Sequence, residues 1–592
     1  MTADQIVVFA VLGVTLALFV WGRWRYDVVA MLALLAVVLS GVLPAERAFT
    51  GFAHPAVITV AAVLVISRAL EHAGLIDAVV RLLGPLEGKP VAQIMTQTAL
   101  VAVLSAFMNN VGALALMLPV ALRQAYRDGY APAMALMPLA FGSILGGLTT
   151  LIGTPPNLIV SSYRQDVLGE PYGMFAFAPV GGPVALVGVA FVALVGWRLI
   201  PKDRRGAPDP EKLFSLADYV TEVRVPLESK IVGKRLSEVE ALADDDVTVV
   251  AIVREDRRRL APRPYETVRG GDVLVLEATA AALQEVLDAT DLELVEAQEI
   301  SREDLKSDEV SVLEAIVPPG SSIVGRTSAD VRLRDVHGVN LLAIARQGQR
   351  VQERLSRVRL RSGDVLLLQG PSEKASEALS RFGLLPLAGR GISVARPRRL
   401  ALTGGVFAAA IVAVVAGWLP PHVAFAAAAV AMVLLKVLSR DEPYAAIDWP
   451  VIVLLAAMIP VGTAMEITGG TALVADGLLA LAGGLGPVGV LAALMVGTML
   501  LSDVVNNNAT AVLMAPLAID LAQRLEVNAD PLLMAVAIGA SCAFLTPIGH
   551  QSNTLVFEPG GYRFSDYARL GVPLELVIVA VAVPLLTVFW PF

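Results

Sequence analysis

Charge and cysteine are scarce in this sequence of 592 residues. Charged residues make up only 17% of it, and Cys542 is the one cysteine, which excludes an intrachain disulfide and a cysteine-based metal cluster. Hydrophobic residues account for 56%, and the mean hydropathy is +0.68. A soluble globular domain does not have this composition. Repeated apolar runs of membrane-spanning length predict a polytopic α-helical membrane protein.

Several functional signatures are also missing. No Gly-x-x-x-x-Gly-Lys-Ser/Thr loop occurs, so ATP-driven pumping is not expected. The N-terminal apolar run lacks a preceding basic segment and a following small-residue cleavage site, which indicates a retained helix rather than a signal peptide. We expect no enzymatic activity, no organic cofactor and no nucleic-acid partner.

Glycine and proline, in contrast, are abundant, with 49 and 36 residues. Transmembrane helices tolerate these residues where the helix is interrupted. Membrane character covers two blocks of similar length, residues 1–200 and 399–592, with helical hairpins predicted at about 91–119 and about 477–516. The stretch between the blocks is charged and has no membrane-length apolar run, which predicts a soluble α/β insert.

The insert is itself a repeat. Ile231-Val232-Gly233 recurs as Ile323-Val324-Gly325, and the turn residues Gly271-Asp272 recur as Gly363-Asp364, at the same offset of 92 residues. The order of strands and helices resembles two TrkA-C domains, at 207–295 and 300–393. This resemblance implies dimerisation, so that we expect a homodimer, or regulation by a small cytosolic ligand such as a cyclic dinucleotide or another nucleotide.

Polar residues interrupt the apolar runs at four places. Asn109-Asn110 and Asn506-Asn507-Asn508 lie in the two predicted hairpins, and Gly153–Asn157 matches Gly549–Asn553 at an offset of 396. Hydrocarbon offers no hydrogen-bond partner, so these clusters must face a cavity, another part of the protein or a solute. Carboxamide oxygens and unwound carbonyls suit a small cation, whereas N–H groups and helix N-termini suit an anion. Together the four motifs can hold a cation beside an anion, as symport requires.

The distribution of Arg and Lys between the loops predicts the orientation. Placing the basic clusters in the cytoplasm gives the first block an odd number of crossings plus one hairpin, so that the second block is upside down. The sequence therefore predicts two inverted-topology repeats with re-entrant hairpins, a site at the bilayer midplane and a cytoplasmic insert. We expect the protein in the inner (plasma) membrane, in contact with lipid.

The motifs resemble those of the divalent anion–sodium symporters, part of the wider ion-transporter group. In that family, Ser-Asn-Thr hairpin tips precede a proline, and each tip is followed by a broken helix. Asn109-Asn110-Val111 and Asn506-Asn507-Asn508 take the places of these tips. The resemblance implies sodium-coupled, elevator-like symport of a small anion such as sulfate or a dicarboxylate. Val111 lacks the hydroxyl of the family motif, which favours a sulfate-like oxyanion at least as much as a dicarboxylate.

The resemblance and the matched spacing give two candidate half-sites. The first half-site comprises Asn109, Asn110, Gly153, Thr154, Pro155 and Asn157. The second half-site comprises Asn506, Asn507, Asn508, Thr510, Gly549, His550, Ser552 and Asn553. Sodium is expected to bind through Asn110, Asn157, Asn507 and Asn553.

Two residue roles and two other functions stay open. Asp503 is a candidate for ion coupling, or else it caps the hairpin helix or lines a vestibule. His550 is a candidate anion ligand that responds to protonation, or else a structural histidine. A cation/proton antiporter or a metalloid efflux permease is an alternative, although Asp503 is the one core carboxylate identified for such a role. A ligand-gated ion channel, suggested by the insert, is the alternative from another class.

Overall fold

The computed structural model describes most of the chain. The positions outside its described residues are 22, 75–88, 129, 202–219, 242–246, 255–256, 261, 263–264, 279–282, 284–285, 288, 296–309, 318–320, 335, 347–348, 352–354, 356, 362, 387–396 and 558. The predicted domain limits at 207, 300 and 393 fall on these positions, so they lie outside the described residues.

The first membrane block is helical throughout its described part. Its helices are α1 Ala3–Trp21, α2 Tyr26–Leu39, α3 Pro55–His72, α4 Pro90–Ser105, α5 Asn110–Arg127, α6 Pro132–Gly147, α7 Pro155–Leu168 and α8 Ala178–Leu194. Four of them begin at a proline, which needs no N–H partner at the first helical position. α4 and α5 form a hairpin, and α6 and α7 are two halves of one interrupted helix.

The insert contains two antiparallel sheets with the same topology. The first is built from β1 Val220–Arg224, β2 Val247–Arg254, β3 Arg257–Leu260, β4 Val273–Ala278 and β5 Glu293–Leu294, with α9 Leu236–Glu240. The second is built from β6 Val310–Ile316, β7 Asn340–Arg346, β8 Gln349–Arg350, β9 Val365–Pro371 and β10 Leu385–Pro386, with α10 Ser328–Val331 and α11 Ser372–Phe382. The strand orders β3-β2-β4-β1-β5 and β8-β7-β9-β6-β10 correspond strand by strand. The sheets therefore repeat as the sequence does, while their assignment as TrkA-C domains stays a prediction.

The repeated Gly-Asp turns also carry buried ion pairs. Asp272 is 2% exposed and lies 2.6 Å from Arg254 Nη2, and Asp364 is fully buried and lies 2.7 Å from Arg346 Nε. Each aspartate additionally accepts a backbone N–H at the start of its own turn. Each ion pair fixes a Gly-Asp turn to the end of β2 or β7. The aspartates therefore have a structural role in addition to forming the turn that the sequence predicts.

The second membrane block contains a hairpin and an interrupted helix in the same order as the first. Its helices are α12 Pro397–Val415, α13 Pro421–Leu434, α14 Glu442–Ala446, α15 Trp449–Ile467, α16 Gly470–Ala482, α17 Gly486–Val504, α18 Asn507–Leu525, α19 Asp530–Ser541, α20 Gln551–Phe557 and α21 Phe564–Phe589. α17 and α18 form the second hairpin, and α19 and α20 the second interrupted helix. The starts of α4, α5 and α7 precede those of α17, α18 and α20 by 396 or 397 residues.

The hairpins extend further than the sequence predicts. Pro119 does not close the first hairpin, because α5 continues through it to Arg127, and α18 likewise continues through Pro516 to Leu525. Proline removes one helical hydrogen bond, but membrane helices tolerate this loss when neighbouring groups compensate. The hairpins therefore span 90–127 and 486–525 rather than about 91–119 and about 477–516.

Six segments of the described chain are long and apolar enough to cross a membrane. They are Ala45–His72, Ala178–Arg198, Arg398–Val415, Trp449–Ile467, Gly486–Val504 and Phe564–Phe589. Further apolar helices are shorter, among them α4, α6 and α19, as expected for hairpins and interrupted helices. The predicted polytopic helical membrane architecture is confirmed, and the inverted relation of the two blocks stays a prediction.

The hairpins and interrupted helices of both blocks pack into one cluster. α6 packs against α4 and α5, and α19 packs against α17 and α18. α7 crosses to the second block and contacts α18 and α19, while α20 crosses to contact α5 and α6. Outside this cluster, α2 pairs with α15 and α3 pairs with α13. The crossing brings each break of an interrupted helix toward the hairpin of the other block.

Candidate functional site

An asparagine side chain caps the helix that follows each hairpin tip. Asn109 Oδ1 accepts the Val111 N–H over 3.4 Å at the start of α5. Asn506 Oδ1 accepts the Asn508 N–H over 2.9 Å at the start of α18. Such a cap satisfies a helix N–H that has no intrahelical partner. Asn109 and Asn506 therefore stabilise the tips, and their oxygens are already engaged.

The first break, between α6 and α7, is held open by Asn157. Pro155 and Pro156 begin α7, and they cannot donate the N–H groups that would continue α6. Asn157 Nδ2 donates to the carbonyls of Gly147 and Thr150, over 3.2 and 2.8 Å. Both N–H groups of this amide are thus used on the unwound backbone.

The second break, between α19 and α20, has the same geometry. Asn553 Nδ2 donates to the carbonyls of Ala543 and Thr546, over 2.8 and 3.0 Å. These carbonyls are the counterparts of those bound by Asn157 at the offset of 396 residues. The sequence match between the two unwound segments therefore corresponds to a match of hydrogen bonds.

Each break is also tied to the hairpin tip of its own block. Thr150 Oγ1 donates to the Ala106 carbonyl, and Thr546 Oγ1 donates to the Asp503 carbonyl. Sequence reasoning did not assign these threonines to the site. The offset that paired Asn157 with Asn553 also pairs them, so the signal was available.

Asn110 joins the two blocks. In the orientation that satisfies its neighbours, its amide nitrogen donates to Ser105 Oγ over 2.7 Å and to the Gly153 carbonyl over 2.9 Å. Its oxygen then accepts from His550 Nε2 over 3.2 Å, and His550 belongs to the second break. Gly147 lies against this amide, and a Cβ there would overlap it. Asn110 is 1% exposed and acts as a bridge between the half-sites.

His550 has a defined tautomer in this arrangement. Its Nδ1 accepts the Ser552 N–H over 3.0 Å, which leaves the proton on Nε2 for Asn110. Ser552 Oγ in turn lies 3.2 Å from Ser143 Oγ on α6 of the first block. Both nitrogens of His550 are therefore occupied by the protein. Ser143 is a contact that sequence reasoning missed, because it lies inside a helix without a polar motif around it.

Several buried oxygens at the tips and breaks have no hydrogen-bond partner among the described residues. They include Asn157 Oδ1, Asn553 Oδ1, Thr154 Oγ1, Asn508 Oδ1 and Thr510 Oγ1. Buried polar atoms are rarely left unpaired, because each costs about 1–3 kcal/mol. The first block has Val111 and Ala113 in place of Asn508 and Thr510. The second half-site consequently offers more free oxygens than the first.

The remaining candidates line the breaks with their backbones. A Cβ at Gly153 would lie 2.6 Å from the Gly147 carbonyl oxygen, and one at Gly549 would lie 2.8 Å from Asp503 Cα. Neither glycine leaves room for a side chain. Asn507 Oδ1 accepts the Asn508 N–H over 3.0 Å. The structure thus places most of the candidates in buried positions at the two tips and the two breaks, and it joins the two half-sites through Asn110 and His550.

Asp503 does not cap the hairpin helix. Its Oδ1 accepts the Leu545 N–H of the second break over 2.8 Å, and Glu575 on α21 accepts the neighbouring Phe544 N–H over 3.3 Å. Sequence reasoning identified Asp503 as the only core carboxylate for a coupling role, and Glu575 is a second one. Glu575 could have been found, since it is the one charged residue in the apolar run from 570 to 592.

Comparison with known proteins gives the family. Residues 16–539 and 479–591 match the citrate transporter family, CitMHS. An uncharacterized transporter of Synechocystis sp. is 33% identical over 586 residues, which are 98% of this chain and 95% of the relative. The uncharacterized transporter YfbS of Escherichia coli (strain K12) is 30% identical, with 100% of both chains covered. Sodium/sulfate cotransporter 2 of Chlamydomonas reinhardtii is 26% identical over 375 residues, which are 62% of this chain and 42% of that protein.

These matches confirm the predicted resemblance at the level of an anion transporter, whereas the TrkA-C resemblance of the insert stays a prediction. The family model spans both membrane blocks, which contain the hairpins and the breaks described above. The chain therefore belongs to the citrate transporter family, CitMHS, and is a multi-pass membrane protein of the anion-transporter kind.

Proposed function

We propose that the protein is a sodium-coupled symporter of a small anion, with sulfate as the first substrate to test. The observation that carries this proposal is the matched pair of free oxygens, Asn157 Oδ1 and Asn553 Oδ1. A carboxamide has two N–H donors and one oxygen acceptor. In both asparagines the N–H groups are used on the break, so the group left for a solute is an oxygen.

An oxygen in this position suits a small cation rather than an anion. Hard cations such as sodium take carboxamide, hydroxyl and carbonyl oxygens as ligands. Thr154 Oγ1 adds a free oxygen to the first half-site, and Asn508 Oδ1 and Thr510 Oγ1 add two to the second. Asn157 and Asn553 are therefore the best-placed sodium ligands.

Asn110 and Asn507 stay in the proposal as sodium ligands, but the oxygen of each already accepts a hydrogen bond. The oxygen of Asn110 accepts from His550, and the oxygen of Asn507 accepts a backbone N–H. A carbonyl oxygen has a second lone pair, so each can still contribute to a cation. Their main effect is to shape the tips against the breaks.

The anion is expected near the two tips, where α5 and α18 present their N-termini. α5 and α18 begin at Asn110 and Asn507, and the N-terminus of a helix attracts negative charge. A sodium ion at each break would add positive charge beside it. The names of the Chlamydomonas reinhardtii relatives favour sulfate, and the family description favours citrate. Both belong in the test with succinate.

Contacts between the blocks favour movement of the site as one body, as an elevator mechanism requires. Tyr562 donates its hydroxyl to the Ala133 carbonyl of α6 over 2.5 Å, and Arg164 of α7 pairs with Asp530 of α19 over 2.8 Å. Both contacts join the first block to the second. In the proposal the hairpins and interrupted helices of both blocks move together against α2, α3, α13 and α15, while the cytoplasmic insert regulates the movement.

Uptake into proteoliposomes tests the proposal. We expect labelled sulfate to accumulate under an inward sodium gradient and not under an equal potassium gradient, with citrate and succinate measured in parallel. Asn553→Ala should abolish the sodium dependence because it removes the free oxygen and the support of the break. Gly497→Ala on α17, where an added Cβ would have no atom within 4 Å, is the control variant. Sodium-independent uptake of every anion, or no uptake of any of them, contradicts the proposal.

A further inference from the structure

A pair of carboxyl groups lies beside the second break. Asp503 on α17 and Glu575 on α21 lie close together, because they accept the N–H groups of two consecutive residues of the break, and they are 2% and 9% exposed. Asp503 Oδ1 accepts the Leu545 N–H over 2.8 Å, and Glu575 Oε1 accepts the Phe544 N–H over 3.3 Å. Both carboxyls are therefore fixed to one short stretch of the break.

The proximity of these two groups favours a proton between them. Ionised carboxylates only accept hydrogen bonds, and the charges of two buried carboxylates repel strongly in a membrane interior. Asp503 Oδ2 has no hydrogen-bond partner among the described residues. A proton shared with Glu575 would give this oxygen a partner.

The pair belongs to the second half-site alone. The counterpart of Asp503 in the first block is Ala106, and α8, the counterpart of α21, has no charged residue from 178 to 194. The duplicated architecture is complete without the pair, since the first break keeps its hydrogen bonds. The carboxyls are thus an addition to the second half-site rather than a part of the repeat.

Three other titratable side chains lie around the pair. Cys542 is fully buried at the start of the break, two residues before Phe544. His550 is occupied by Asn110 and by the Ser552 N–H, and Tyr567 of α21 donates its hydroxyl to the Asn553 carbonyl over 2.8 Å. The histidine is neutral because its Nδ1 accepts a hydrogen bond, and the tyrosine is neutral because it donates one.

Five of the six other charged side chains on the surrounding helices bond elsewhere. Those on α16, α18, α19 and α21 are Asp476, Asp520, Arg524, Asp530, Asp566 and Arg569. Asp476 and Asp520 pair with Arg524, Asp530 pairs with Arg164, and Asp566 accepts a backbone N–H from Arg563. Within the described residues, no Lys or Arg side chain forms an ion pair with Asp503 or Glu575.

The backbone connects the pair to the proposed sodium ligand of this half-site. The Asp503 carbonyl accepts from Thr546 Oγ1, and the Thr546 carbonyl accepts from Asn553 Nδ2. Loss of the proton would leave two negative charges beside this chain of contacts. A sodium ion at the break would compensate one of them, because an opposite charge is strongly stabilising in a medium of low dielectric.

We propose that Asp503 and Glu575 form a proton-binding site, and that their shared proton competes with sodium at the second half-site. The competition rests on the proposed sodium coupling, whereas the proton site itself does not. A sodium ion that binds here would displace the proton to solvent. Sodium would accordingly bind more tightly as the pH rises, by up to about tenfold per pH unit for one competing proton.

Infrared spectroscopy of the full-length protein tests the proton site without sodium or substrate. A protonated carboxyl has a carbonyl stretch that a carboxylate lacks, and we expect this band in the wild type at neutral pH. Asp503→Asn and Glu575→Gln should each lose it, because the new amide donates to the remaining carboxylate without a shared proton. Glu526→Gln, at the exposed end of α18, should keep it. A spectrum unchanged by both core variants overturns the proton site.

Proton release on addition of sodium tests the competition. Sodium added to weakly buffered, purified protein should release protons from the wild type and from Glu526→Gln, and not from either core variant. The apparent sodium affinity should rise with pH in the wild type and stay constant in the core variants. An infrared band without any proton release would leave the pair as a structural neutral group and overturn the competition. Absence of sodium binding at any pH contradicts the proposed function instead, while the infrared result stands by itself.

Discussion

Substitution of Gly549 by alanine examines how closely the second break must approach its hairpin. The added Cβ would lie 2.8 Å from both Asp503 Cα and the Ser502 carbonyl oxygen, and 3.0 Å from Ala543 Cβ. Favourable contacts between carbon atoms have separations of about 3.5–4.0 Å. Two of the three obstructing atoms belong to the backbone, which cannot move aside as a flexible side chain could. The break and the tip of the hairpin must therefore separate.

The expected size of the effect follows from this overlap. Insertion of one carbon into a packed site costs about 1–3 kcal/mol. If this cost falls on the closed arrangement that binds sodium, the apparent sodium affinity weakens by roughly 5- to 150-fold, since about 1.4 kcal/mol corresponds to a factor of ten. Thermal stability should decline by no more than this cost of about 1–3 kcal/mol, because no buried side chain is removed.

Sodium-dependent uptake of labelled sulfate into proteoliposomes provides the measurement. Gly497→Ala is a matched control. Gly497 lies on α17, in the hairpin that Gly549 approaches, and its added Cβ would have no atom within 4 Å. We expect the sodium concentration for half-maximal uptake to rise in Gly549→Ala and to stay unchanged in Gly497→Ala. Equal sodium dependence of Gly549→Ala and the wild type would refute the close approach as a requirement for binding.

Three further substitutions test, one by one, a contact between the two blocks, the buried ion pair of the insert and a proposed sodium ligand. Tyr562→Phe removes the hydroxyl that bonds the backbone of α6, so the melting temperature should fall by an amount equivalent to about 1–3 kcal/mol while the sodium dependence of uptake is kept. Asp364→Asn breaks the buried ion pair with Arg346, so hydrogen exchange should accelerate in β7 and β9 but not in the membrane helices. Thr510→Val removes an unpaired hydroxyl and should leave the melting temperature nearly unchanged, whereas the sodium affinity should decrease; an affinity equal to that of the wild type would exclude this oxygen as a ligand.

The arrangement of the site was predictable where the chain repeats itself. The offset between Asn157 and Asn553 identified two side chains that the structure shows in the same hydrogen bonds. Such matches are visible in a sequence because duplicated backbones need the same groups at the same positions. The offset also contained Thr150 and Thr546, so the omission of these residues was a failure of reasoning rather than of information.

Contacts between the two blocks were not predictable in the same way. The bridge from Asn110 to His550 depends on the crossing of α20 over α5 and α6, and no spacing along the chain encodes that crossing. The end of the first hairpin was misjudged because Pro119 is a strong signal for a helix end in soluble proteins. In a membrane helix the same residue is tolerated, and only the packing around it decides.

If the two half-sites bind ions as proposed, their differences indicate where ion choice resides. Both blocks keep the asparagine and the threonine that support the break, Asn157 with Thr150 and Asn553 with Thr546. Four positions at the tips and breaks differ in their polar groups: Ala106 and Asp503, Val111 and Asn508, Ala113 and Thr510, Thr154 and His550. In the first three pairs an apolar residue of the first block is replaced by an oxygen-bearing residue of the second. A symmetric scaffold therefore holds two unequal half-sites, and substitutions at Asn508 or Thr510 should change ion dependence more than equivalent changes at Val111 or Ala113.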